Sequence, residues 1–438
     1  MKNVLVYGMG KSGFAAARLL LSKGCRVFLY DDGGIDEKAE PLVGLGALPL
    51  DDLLEDLVRK LSFAVVSPGV PPDRLKKLGG VRIISELELG WRDCKGDVAA
   101  VTGTNGKTTV CGLVADIVAA GGRKVFLLGN VGTPVSAKAA ETENGGVCVI
   151  EASSFQLERV DCFRPKVAAL LNIAPDHIDR HGDMESYIKA KLRIFENQTE
   201  DDFAVLNADD PVVAAAADGV KARKVWFSAE KVTNGAYVSD GKVFFRGTEI
   251  MPAAESPLAG KHNLTDLLCA VCVCSLLGVA PEICRSAVRN FSPPPHRLAE
   301  AGFVGGVRFV DDSKATNVSA VLPVMGLYPE TALILGGSGK GCRFDGLFRS
   351  VPDNVSMCVL TGETGDELAA AAARQGFTRF VFAADFRSAV KIAYHAVAPR
   401  GTVLLSPACA SFDEFGGYAE RGEEFVRIVG EIKSEEGI

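Results

Sequence analysis

The chain has 438 residues, a length that suggests two to four domains. Of these residues 47% are hydrophobic and 24% are charged, a composition typical of a soluble globular protein. Its net charge of −7 argues against a general nucleic-acid or membrane-surface partner. No apolar run reaches the roughly 18 residues that a membrane-spanning helix requires, and the N-terminal residues do not have the pattern of a signal peptide.

Strands alternate with helices along almost the whole chain, which predicts an α/β fold with largely parallel sheets. A strand over residues 3–7 leads into Gly8-Met-Gly10-Lys-Ser-Gly13 and a helix, and the next strand, over residues 26–30, ends at Asp31 and Asp32. A G-x-G-x-x-G turn in this position is typical of a dinucleotide site, with a diphosphate at the helix N-terminus and an acidic side chain on a ribose. It equally fits another diphosphate such as a nucleotide sugar, and a tight turn without a ligand is the third interpretation.

A strand over residues 63–66 ends at Ser67, and the polar stretch over residues 91–97 marks the first predicted domain boundary. Beyond it, residues 101–109 read Val-Thr-Gly-Thr-Asn-Gly-Lys-Thr-Thr, between a strand over 97–102 and an apolar helix. In such a loop, backbone N–H groups surround a polyphosphate, the lysine contacts the outer phosphates and a hydroxyl binds magnesium. The sequence therefore predicts an ATP site whose contacts are Gly103, Thr104, Asn105, Gly106, Lys107, Thr108 and Thr109.

The spacing of this loop departs from the usual G-x-x-x-x-G-K-[ST], because Gly103 lies only three residues before Gly106. A glycine-rich turn before an ordinary helix is therefore the alternative interpretation. Further strands of the middle region are predicted over residues 124–128, 147–151, 167–172 and 203–207, with shorter β-like segments over 224–227 and 242–246.

Glu151 ends one of these strands. Because ligands gather at the carboxyl ends of parallel strands, a carboxylate there is a natural magnesium ligand beside a phosphate loop. The alternative is an exposed glutamate that caps the next helix.

His177 follows the strand that ends at residue 172, and His181 stands four residues later. Pro175 and Gly182 argue against a continuous helix, and no third soft ligand is near, so the pair does not predict zinc. A contact of one of these histidines with magnesium or phosphate is the preferred interpretation, and a surface-loop histidine is the alternative.

Lys191 borders a helical apolar stripe formed by Ile188, Leu192 and Phe195. A lysine on the inner face of a helix can lose its charge. The alternative is a side chain that runs along the helix surface and keeps its ammonium group in water.

Cys269 and Cys272 lie in a continuous apolar helix, with no histidine or second cysteine pair at zinc spacing. Like the other scattered cysteines, they are expected to be buried, reduced thiols, which favours a cytoplasmic protein.

The proline run Ser292-Pro-Pro-Pro295 predicts a stiff connector and the second domain boundary. Strands are then predicted over residues 307–311, 331–335, 356–360, 378–383 and 402–405, which indicates a second doubly wound unit. Three loops follow strands there, over residues 311–317, 336–341 and 406–412. Their hydroxyls, lysines and backbone N–H groups suit an anionic ligand that carries carboxylates.

Taken together, these segments resemble the Mur ligase family, ATP-dependent enzymes that add amino acids to bacterial cell-wall precursors. The superfamily markers are the loop over residues 103–109, Gly260-Lys-His-Asn263, His296-Arg297 and residues 312–317. Residues 151–156, residues 406–413 and Arg421-Gly422 favour the branch that adds D-glutamate to UDP-N-acetylmuramoyl-L-alanine. The resemblance spans the whole chain. It implies a UDP-binding Rossmann-like domain over residues 1–93, a central ATP-binding domain over 94–297 and a Rossmann-like, amino-acid-binding domain over 298–438.

The resemblance also implies roles for single residues. Lys107, Glu151, His177 and Lys191 would be catalytic, and Thr108, Glu151, His177 and Lys191 would serve two magnesium ions. Lys191 matches the family lysine that reacts with carbon dioxide to form a carbamate. Further ATP contacts would come from Asn263, Arg297 and Asp312. The UDP end of the substrate would meet Gly10, Ser12, Asp31 and Ser67, and its muramyl part Asn130, Ser153 and Gln156. The incoming amino acid would meet Lys314, Thr316, Lys340, Ser411 and Tyr418.

Three positions depart from the family pattern: Asp266 replaces an amide, Ser338 replaces an acidic residue and Tyr418 replaces phenylalanine. The implied reaction forms an acyl phosphate from ATP and the substrate carboxylate, which the amine of D-glutamate then attacks, in a cytoplasmic monomer. Other interpretations are a Mur-type ligase for another amino acid, an NAD-dependent oxidoreductase built on Gly8–Gly13 and an ATP-gated binding module. A folate polyglutamate ligase is disfavoured, because that branch lacks the N-terminal glycine domain.

Overall fold

The computed structural model describes residues 1–258, 260–339 and 343–437. The chain forms two compact units: the first contains Met1–Ile173, Arg180–Pro257 and Asn263–Phe291, and the second contains Ala174–Asp179, Leu258–His262 and the chain from Ser292 onward. The change of unit at Ser292 falls in the proline connector. The three domain ranges given above stay predictions.

The first sheet of unit 1 has five parallel strands in the order β3-β2-β1-β4-β5. Its strands are β1 (Asn3–Tyr7), β2 (Arg26–Tyr30), β3 (Leu48–Pro49), β4 (Phe63–Val66) and β5 (Ile83–Ser85). Its helices are α1 (Lys11–Ser22), α2 (Glu40–Gly44), α3 (Glu55–Val58) and α4 (Glu86–Trp91), with 3-10 segments at Glu37–Ala39 and Pro72–Leu78. The three strands predicted here are confirmed, because β1, β2 and β4 are buried apolar runs.

The second sheet of unit 1 has six parallel strands in the order β11-β10-β9-β6-β8-β7. Its strands are β6 (Asp97–Thr102), β7 (Val125–Gly129), β8 (Val147–Glu151), β9 (Val167–Leu170), β10 (Phe203–Asn207) and β11 (Arg223–Phe227). The helices in this stretch of the chain are α5 (Lys107–Ala120), α6 (Val135–Lys138), α7 (Ser154–Leu157), α8 (Ile178–His181), α9 (Met184–Leu192) and α10 (Pro211–Ala216), with 3-10 segments at Ala139–Glu141, Arg193–Phe195 and Ala217–Gly219. The first two residues of α8 belong to unit 2. Because β6 lies between β9 and β8, the loops that follow these three strands meet at one edge of the sheet.

A small antiparallel sheet completes unit 1. Its strands are β12 (Ala236–Ser239), β13 (Lys242–Phe245) and β14 (Thr248–Pro252), followed by a 3-10 segment at Ala253–Glu255, α11 (Lys261–Leu276) and α12 (Pro281–Arg289). Only β13 was predicted. The three cysteines of α11, Cys269, Cys272 and Cys274, are buried as expected, and burial raises the pKa of all three thiols, that of Cys272 to about 12.

Helix α4 joins the first sheet of unit 1 to the second through buried carboxylates. Glu88 is 0% exposed and accepts the N–H groups of Asp161, Cys162 and Phe163 at 2.9 to 3.2 Å, while the Arg92 guanidinium lies 2.7 Å away. Glu86 accepts the N–H of Ser136 at 2.6 Å. The two sheets are thus connected by hydrogen bonds to carboxyl groups that water does not reach.

Replacing Glu88 with alanine is expected to lower the free energy of unfolding by about 3 kcal/mol, because three buried N–H groups and a guanidinium lose their acceptor. Urea unfolding monitored by tryptophan fluorescence checks this, since the Trp91 ring packs on Phe163, whose N–H group is one of the donors to Glu88. Glu143→Ala is the matched control, because the Glu143 side chain is exposed and its ion pair with Lys124, at 3.5 Å, is a surface contact. A loss below about 1 kcal/mol, the size of a surface ion pair, would contradict the expectation.

Unit 2 contains one six-stranded sheet in the order β15-β16-β20-β17-β18-β19, parallel except for β15. Its strands are β15 (Ala299–Val304), β16 (Val307–Asp311), β17 (Thr331–Gly336), β18 (Val355–Thr361), β19 (Phe380–Phe382) and β20 (Gly401–Leu405). Its helices are α13 (Val318–Val321), α14 (Asp345–Arg349), α15 (Gly365–Arg374), α16 (Phe386–Val397) and α17 (Tyr418–Glu435). The five predicted strands are present, and the α/β fold with mostly parallel sheets is confirmed. In the described part of the chain, no helix has the length and apolarity to span a membrane.

Candidate active site

The phosphate loop lies between β6 and α5, as the sequence predicts. Gly103 and Gly106 have φ angles of 157° and 86°, a region that other residues rarely adopt. A Cβ atom at Gly106 would also come within 2.2 Å of the Asp266 carboxylate. Gly106 precedes α5 and supplies no capping side chain to the first-turn N–H groups of that helix, which are groups that suit an anion.

Two residues that the sequence analysis missed hold this loop in place. Asn172 accepts the N–H of Asn105 at 2.9 Å and donates to its carbonyl oxygen at 3.1 Å. The hydroxyl of the buried Tyr187 lies 3.0 Å from that of Thr104. Both partners come from segments that follow β9, so only the fold brings them to the loop.

Lys107 reaches back over the loop that precedes it. Its Nζ donates to the carbonyl oxygens of Gly103 and Thr104 at 2.8 and 2.7 Å. The ammonium group therefore lies on the loop, beside the N-terminus of α5. A polyphosphate at this helix end would meet one full positive charge and a set of backbone N–H groups.

Glu151 lies at the end of β8, beside the phosphate loop. It is 2% exposed, and its two oxygens accept hydrogen bonds from Thr108 Oγ1 at 2.9 Å and from Asn130 Nδ2 at 2.8 Å. The alternative role as an exposed helix cap is wrong, because Ser153 and Gln156 form the capping box of α7. The carboxylate of Glu151 and the hydroxyl of Thr108 are hard oxygen donors of the kind that magnesium prefers. The donor set fits the predicted metal.

Lys191 is buried, with 2% exposure, so the alternative surface position is wrong. Its Nζ donates to the carbonyl oxygen of Gly103 at 2.7 Å and lies 4.6 Å from the centre of the Tyr187 ring. The structure thus brings Lys107, Thr108, Glu151 and Lys191 together around one loop.

His177 and His181 have different surroundings. His177 belongs to the segment assigned to unit 2, adopts a φ of 54°, and places Nε2 3.6 Å from Asp176 Oδ2. His181 belongs to unit 1, where Nε2 lies 3.0 Å from Ser154 Oγ and Nδ1 lies 3.3 Å from Glu158. Among the described residues, one group of histidine, cysteine or acidic side chains has ligand atoms close enough to share a metal ion: Glu88, Asp161 and Cys162. The Glu88 carboxyl oxygens there already accept hydrogen bonds from backbone N–H groups.

Of the residues predicted to meet the muramyl part, Asn130 contacts Glu151 directly. Ser153 lies two residues beyond the end of β8 and forms the capping box of α7 with Gln156. The predicted ATP contact Asn263 is buried near the start of α11, and Asp266 lies one turn further on. The substrate contacts of all these residues stay predictions.

The N-terminal glycine turn borders a cavity of about 390 Å³. The cavity is lined by all four residues predicted for the UDP end, Gly10, Ser12, Asp31 and Ser67. Asp31 accepts the N–H groups of Met9 and Gly33 at 2.7 and 3.0 Å, and Ser67 donates to the Gly8 carbonyl oxygen at 2.6 Å. These bonds fix the turn around the cavity.

In unit 2, the predicted amino-acid contacts Lys314, Thr316 and Ser411 lie on loops after the adjacent strands β16 and β20, and Tyr418 begins α17. Lys314 Nζ is 5.2 Å from the centre of the Tyr418 ring, and Thr316 follows on the same loop. Ser411 is buried on the loop after β20. Ser338, on the loop after β17, accepts the N–H of Phe412 at 3.2 Å, a bond that an acidic side chain at this position would also accept. Lys340 lies outside the described residues.

The predicted ATP contacts Arg297 and Asp312 also lie in unit 2. Asp312 is buried and accepts a hydrogen bond from Ser406 at 2.7 Å. Burial raises its pKa to about 7, although the Arg297 guanidinium opposes the effect.

Asp312 is expected to make stability fall with rising pH. Its carboxyl keeps a proton up to about pH 7 when folded but only to about pH 4 when unfolded, so between these values the folded state binds more protons and loses stability as pH rises. The pKa difference corresponds to about 4 kcal/mol. Asp312→Asn should therefore reduce the drop in Tm between pH 5 and pH 8, whereas Asp353→Asn, at an exposed position, should not. An unchanged drop in Asp312→Asn would show that another group causes it.

Comparison with known proteins gives a consistent result. Residues 101–274 match the family model of the Mur ligase middle domain. UDP-N-acetylmuramoylalanine–D-glutamate ligase from Koribacter versatilis is 39% identical over 99% of this chain and 98% of its own, and the protein of that name from Pelotomaculum thermopropionicum has the same identity and coverage. A solved structure of MurF ligase from Thermotoga maritima in complex with ADP has a TM-score of 0.62 at 16% identity, over 99% of this chain and 95% of that chain, which shows a shared fold. Because similarity to relatives at this level extends over nearly the full length, the chain belongs to the Mur ligase family.

Proposed function

We propose that this Mur ligase joins D-glutamate to UDP-N-acetylmuramoyl-L-alanine, using ATP. The observation that carries the proposal is the identity of 39% over nearly the whole chain with relatives named for this reaction. Residues 151–156 and 406–413 and the pair Arg421-Gly422 support the choice of D-glutamate within the family. The grouping of Lys107, Thr108, Glu151 and Lys191 around one loop supports phosphoryl transfer as the first step.

In this reaction a carboxylate oxygen of the substrate attacks the γ-phosphorus of ATP, and ADP leaves. The amine nitrogen of D-glutamate then attacks the acyl carbon, an amide bond forms and inorganic phosphate leaves. Lys107 and the N–H groups of the loop neutralise the phosphates and align them, which is most of what this transfer needs from a protein. Thr108, Glu151, His177 and, as its carbamate, Lys191 would hold magnesium, which would supply further neutralisation of phosphate charge.

The remaining residues divide the substrates between them. Gly10, Ser12, Asp31 and Ser67 bind the UDP end, and the cavity that all four line supports this assignment. Asn130, Ser153 and Gln156 face the muramyl part. Asn263, Arg297 and Asp312 bind the nucleotide. Lys314, Thr316, Lys340, Ser411 and Tyr418 receive D-glutamate. The enzyme acts as a monomer in the cytoplasm.

Substrate-dependent release of phosphate tests the proposal. Purified protein with ATP and magnesium should release phosphate only when UDP-N-acetylmuramoyl-L-alanine and D-glutamate are both present. The same assay with L-alanine, L-lysine and meso-diaminopimelate provides the amino-acid controls.

Release with one of these amino acids in place of D-glutamate would assign the chain to another branch of the family. Release without any acceptor would indicate a simple ATPase. Binding of NAD to the cavity beside Gly8–Gly13, in a titration with and without UDP, would favour the oxidoreductase interpretation. We expect UDP to bind there and NAD not to compete with it.

A further inference from the structure

Arg421 is a buried cation in unit 2 whose role the reaction scheme leaves open. It lies in the first turn of α17 and is 2% exposed. Its Nε donates to Ser313 Oγ at 2.9 Å and Nη2 donates to the carbonyl oxygens of Ser313 and Cys409 at 2.9 and 3.1 Å. Its Nη1 donates to the carbonyl oxygens of Ala410 and Gly336 at 3.2 and 3.4 Å. All five N–H groups are used, and every acceptor is a hydroxyl or a backbone carbonyl rather than a carboxylate.

These acceptors belong to three different loops. Ser313 follows β16, Gly336 ends β17, and Cys409 and Ala410 follow β20. The three strands are adjacent and parallel in the order β16-β20-β17, so their carboxyl ends meet at one edge of the sheet. One guanidinium therefore ties together the three loops that surround the expected ligand position of a doubly wound sheet.

The neighbours of these acceptors are the residues assigned to the amino acid. Lys314 follows Ser313 directly, and Ser411 follows Ala410. Tyr418 lies one turn before Arg421 on α17, and its carbonyl oxygen accepts a hydrogen bond from Ser313 Oγ at 2.8 Å. Gly337 packs closely in the same cluster, since a Cβ atom there would lie 2.0 Å from the Ala410 carbonyl oxygen and 3.0 Å from Arg421 Nη1.

We propose that Arg421 is the positioning residue of the amino-acid site, holding the three loops in the arrangement that recognises the carboxylates of D-glutamate. By drawing four carbonyl oxygens toward itself, it leaves hydroxyl, ammonium and N–H groups to face an anionic ligand. The inference rests on the proposed function, because D-glutamate is the ligand that the loops receive.

The electrostatic surroundings keep this cation charged. Burial lowers the pKa of Arg421 to about 10, while Cys409, Asp413, Asp311 and Glu414 act in the opposite direction. Asp311 is itself bonded to His296 Nδ1 at 2.7 Å, and Asp413 accepts the N–H of Glu363 at 3.2 Å. At neutral pH the guanidinium is therefore protonated, and its charge adds to the attraction for a carboxylate ligand.

Steady-state kinetics of Arg421→Met and Arg421→Lys test the proposal, with the KM for D-glutamate measured separately from those for ATP and the UDP substrate. Arg421→Met should raise the KM for D-glutamate about 30-fold, equivalent to about 2 kcal/mol, and leave the other two KM values within about twofold. Arg421→Lys keeps the charge but not the five donors, so its KM should rise only about fivefold at pH 7. Arg427→Met on the exposed face of α17, where Arg427 pairs with Glu424 and Glu431, should match the wild type.

The pH profile separates positioning and charge from general destabilisation. In Arg421→Lys, the KM for D-glutamate should climb between pH 7 and pH 10 more steeply than in the wild type, because a buried ammonium loses its proton more readily than a guanidinium. Wild-type activity with D-glutamate tests the proposed function, and the ratio of variant to wild type tests Arg421. An unchanged KM for D-glutamate in either variant, or an equal rise in all three KM values, would overturn the proposal. If Arg421→Met does not fold, the KM pattern and pH profile of Arg421→Lys decide alone.

Discussion

Lys107→Ala is expected to lower kcat for substrate-dependent phosphate release by about a thousand-fold, which corresponds to a loss of about 4 kcal/mol of transition-state stabilisation. The Nζ of Lys107 lies on the loop carbonyls at the start of α5, where the outer phosphates of ATP would place their negative charge. During phosphoryl transfer, negative charge redistributes over the phosphate oxygens. Backbone N–H groups alone would offer only partial positive charges to stabilise it, whereas the Lys107 ammonium group offers a full one. Initial rates of phosphate release at saturating substrates check this.

Lys124→Ala is the matched control. Lys124 lies in the same unit, its side chain is exposed, and its ion pair with Glu143 at 3.5 Å is a surface contact. Circular dichroism and ADP titration of Lys107→Ala would show whether the loop keeps its fold, because the substitution also removes the hydrogen bonds from Lys107 Nζ to the carbonyl oxygens of Gly103 and Thr104. A folded variant that keeps more than a tenth of the wild-type kcat would contradict phosphate contact by Lys107.

The sequence predicts the parallel sheets well because their strands are buried on both faces. Such strands appear as unbroken apolar runs ended by glycine or polar residues, as in Val147–Glu151. The same pattern locates the carboxyl ends of strands, where site residues of such sheets gather. Glu151 could therefore be assigned to the site edge, and its burial at 2% exposure agrees.

Five of the strands, β3, β5, β12, β14 and β15, could not be predicted from the sequence. Strand β3 has two residues and β5 has three, too few for any periodic pattern. Strand β15 carries Gly302 and a register shift, which hide its alternation. Strands β12 and β14 depend on antiparallel pairing with β13, and this tertiary contact outweighs their weak local preference.

The partners of residues that act through a neighbour could not be predicted either. Tyr187 is 83 positions from Thr104, and Arg421 is 108 positions from Ser313, so no local spacing connects either pair. Glu88 has the appearance of a charged helix residue in the sequence, yet it accepts three N–H groups from a loop more than 70 positions away. The distant partners of these polar groups are backbone or hydroxyl groups, which carry no distinctive side-chain signature.

Lys191 is the position where pattern and structure together lead to a chemical prediction. Alanine there is expected to lower kcat by about a hundred-fold, within the range found when one stabilising group is removed from an active site. The Lys191 side chain lies between the Gly103 carbonyl oxygen and the Tyr187 ring, with 2% exposure. Truncation at Cβ would remove the only part of the residue that reaches the phosphate loop.

The resemblance to the family implies that the Lys191 amine attacks carbon dioxide, forming an N–C bond and releasing a proton, so that the side chain ends in a carboxylate. Short-chain carboxylic acids such as acetate should then restore part of the activity of Lys191→Ala, because an added carboxylate fills the vacated ligand position. Lys189→Ala on the exposed face of α9 is the control and should need no rescue.

The opposite result has an equally definite meaning. The ammonium form of Lys191 donates a hydrogen bond to the Gly103 carbonyl oxygen at 2.7 Å, so a lysine that acts as a cation would be replaced by ethylamine rather than by acetate. Rescue by the amine alone, together with full wild-type activity in buffers freed of carbon dioxide, would exclude the carbamate. Rescue by the acid alone would assign to Lys191 a negative charge that, with the carboxylate of Glu151, suits the ligands of a magnesium ion.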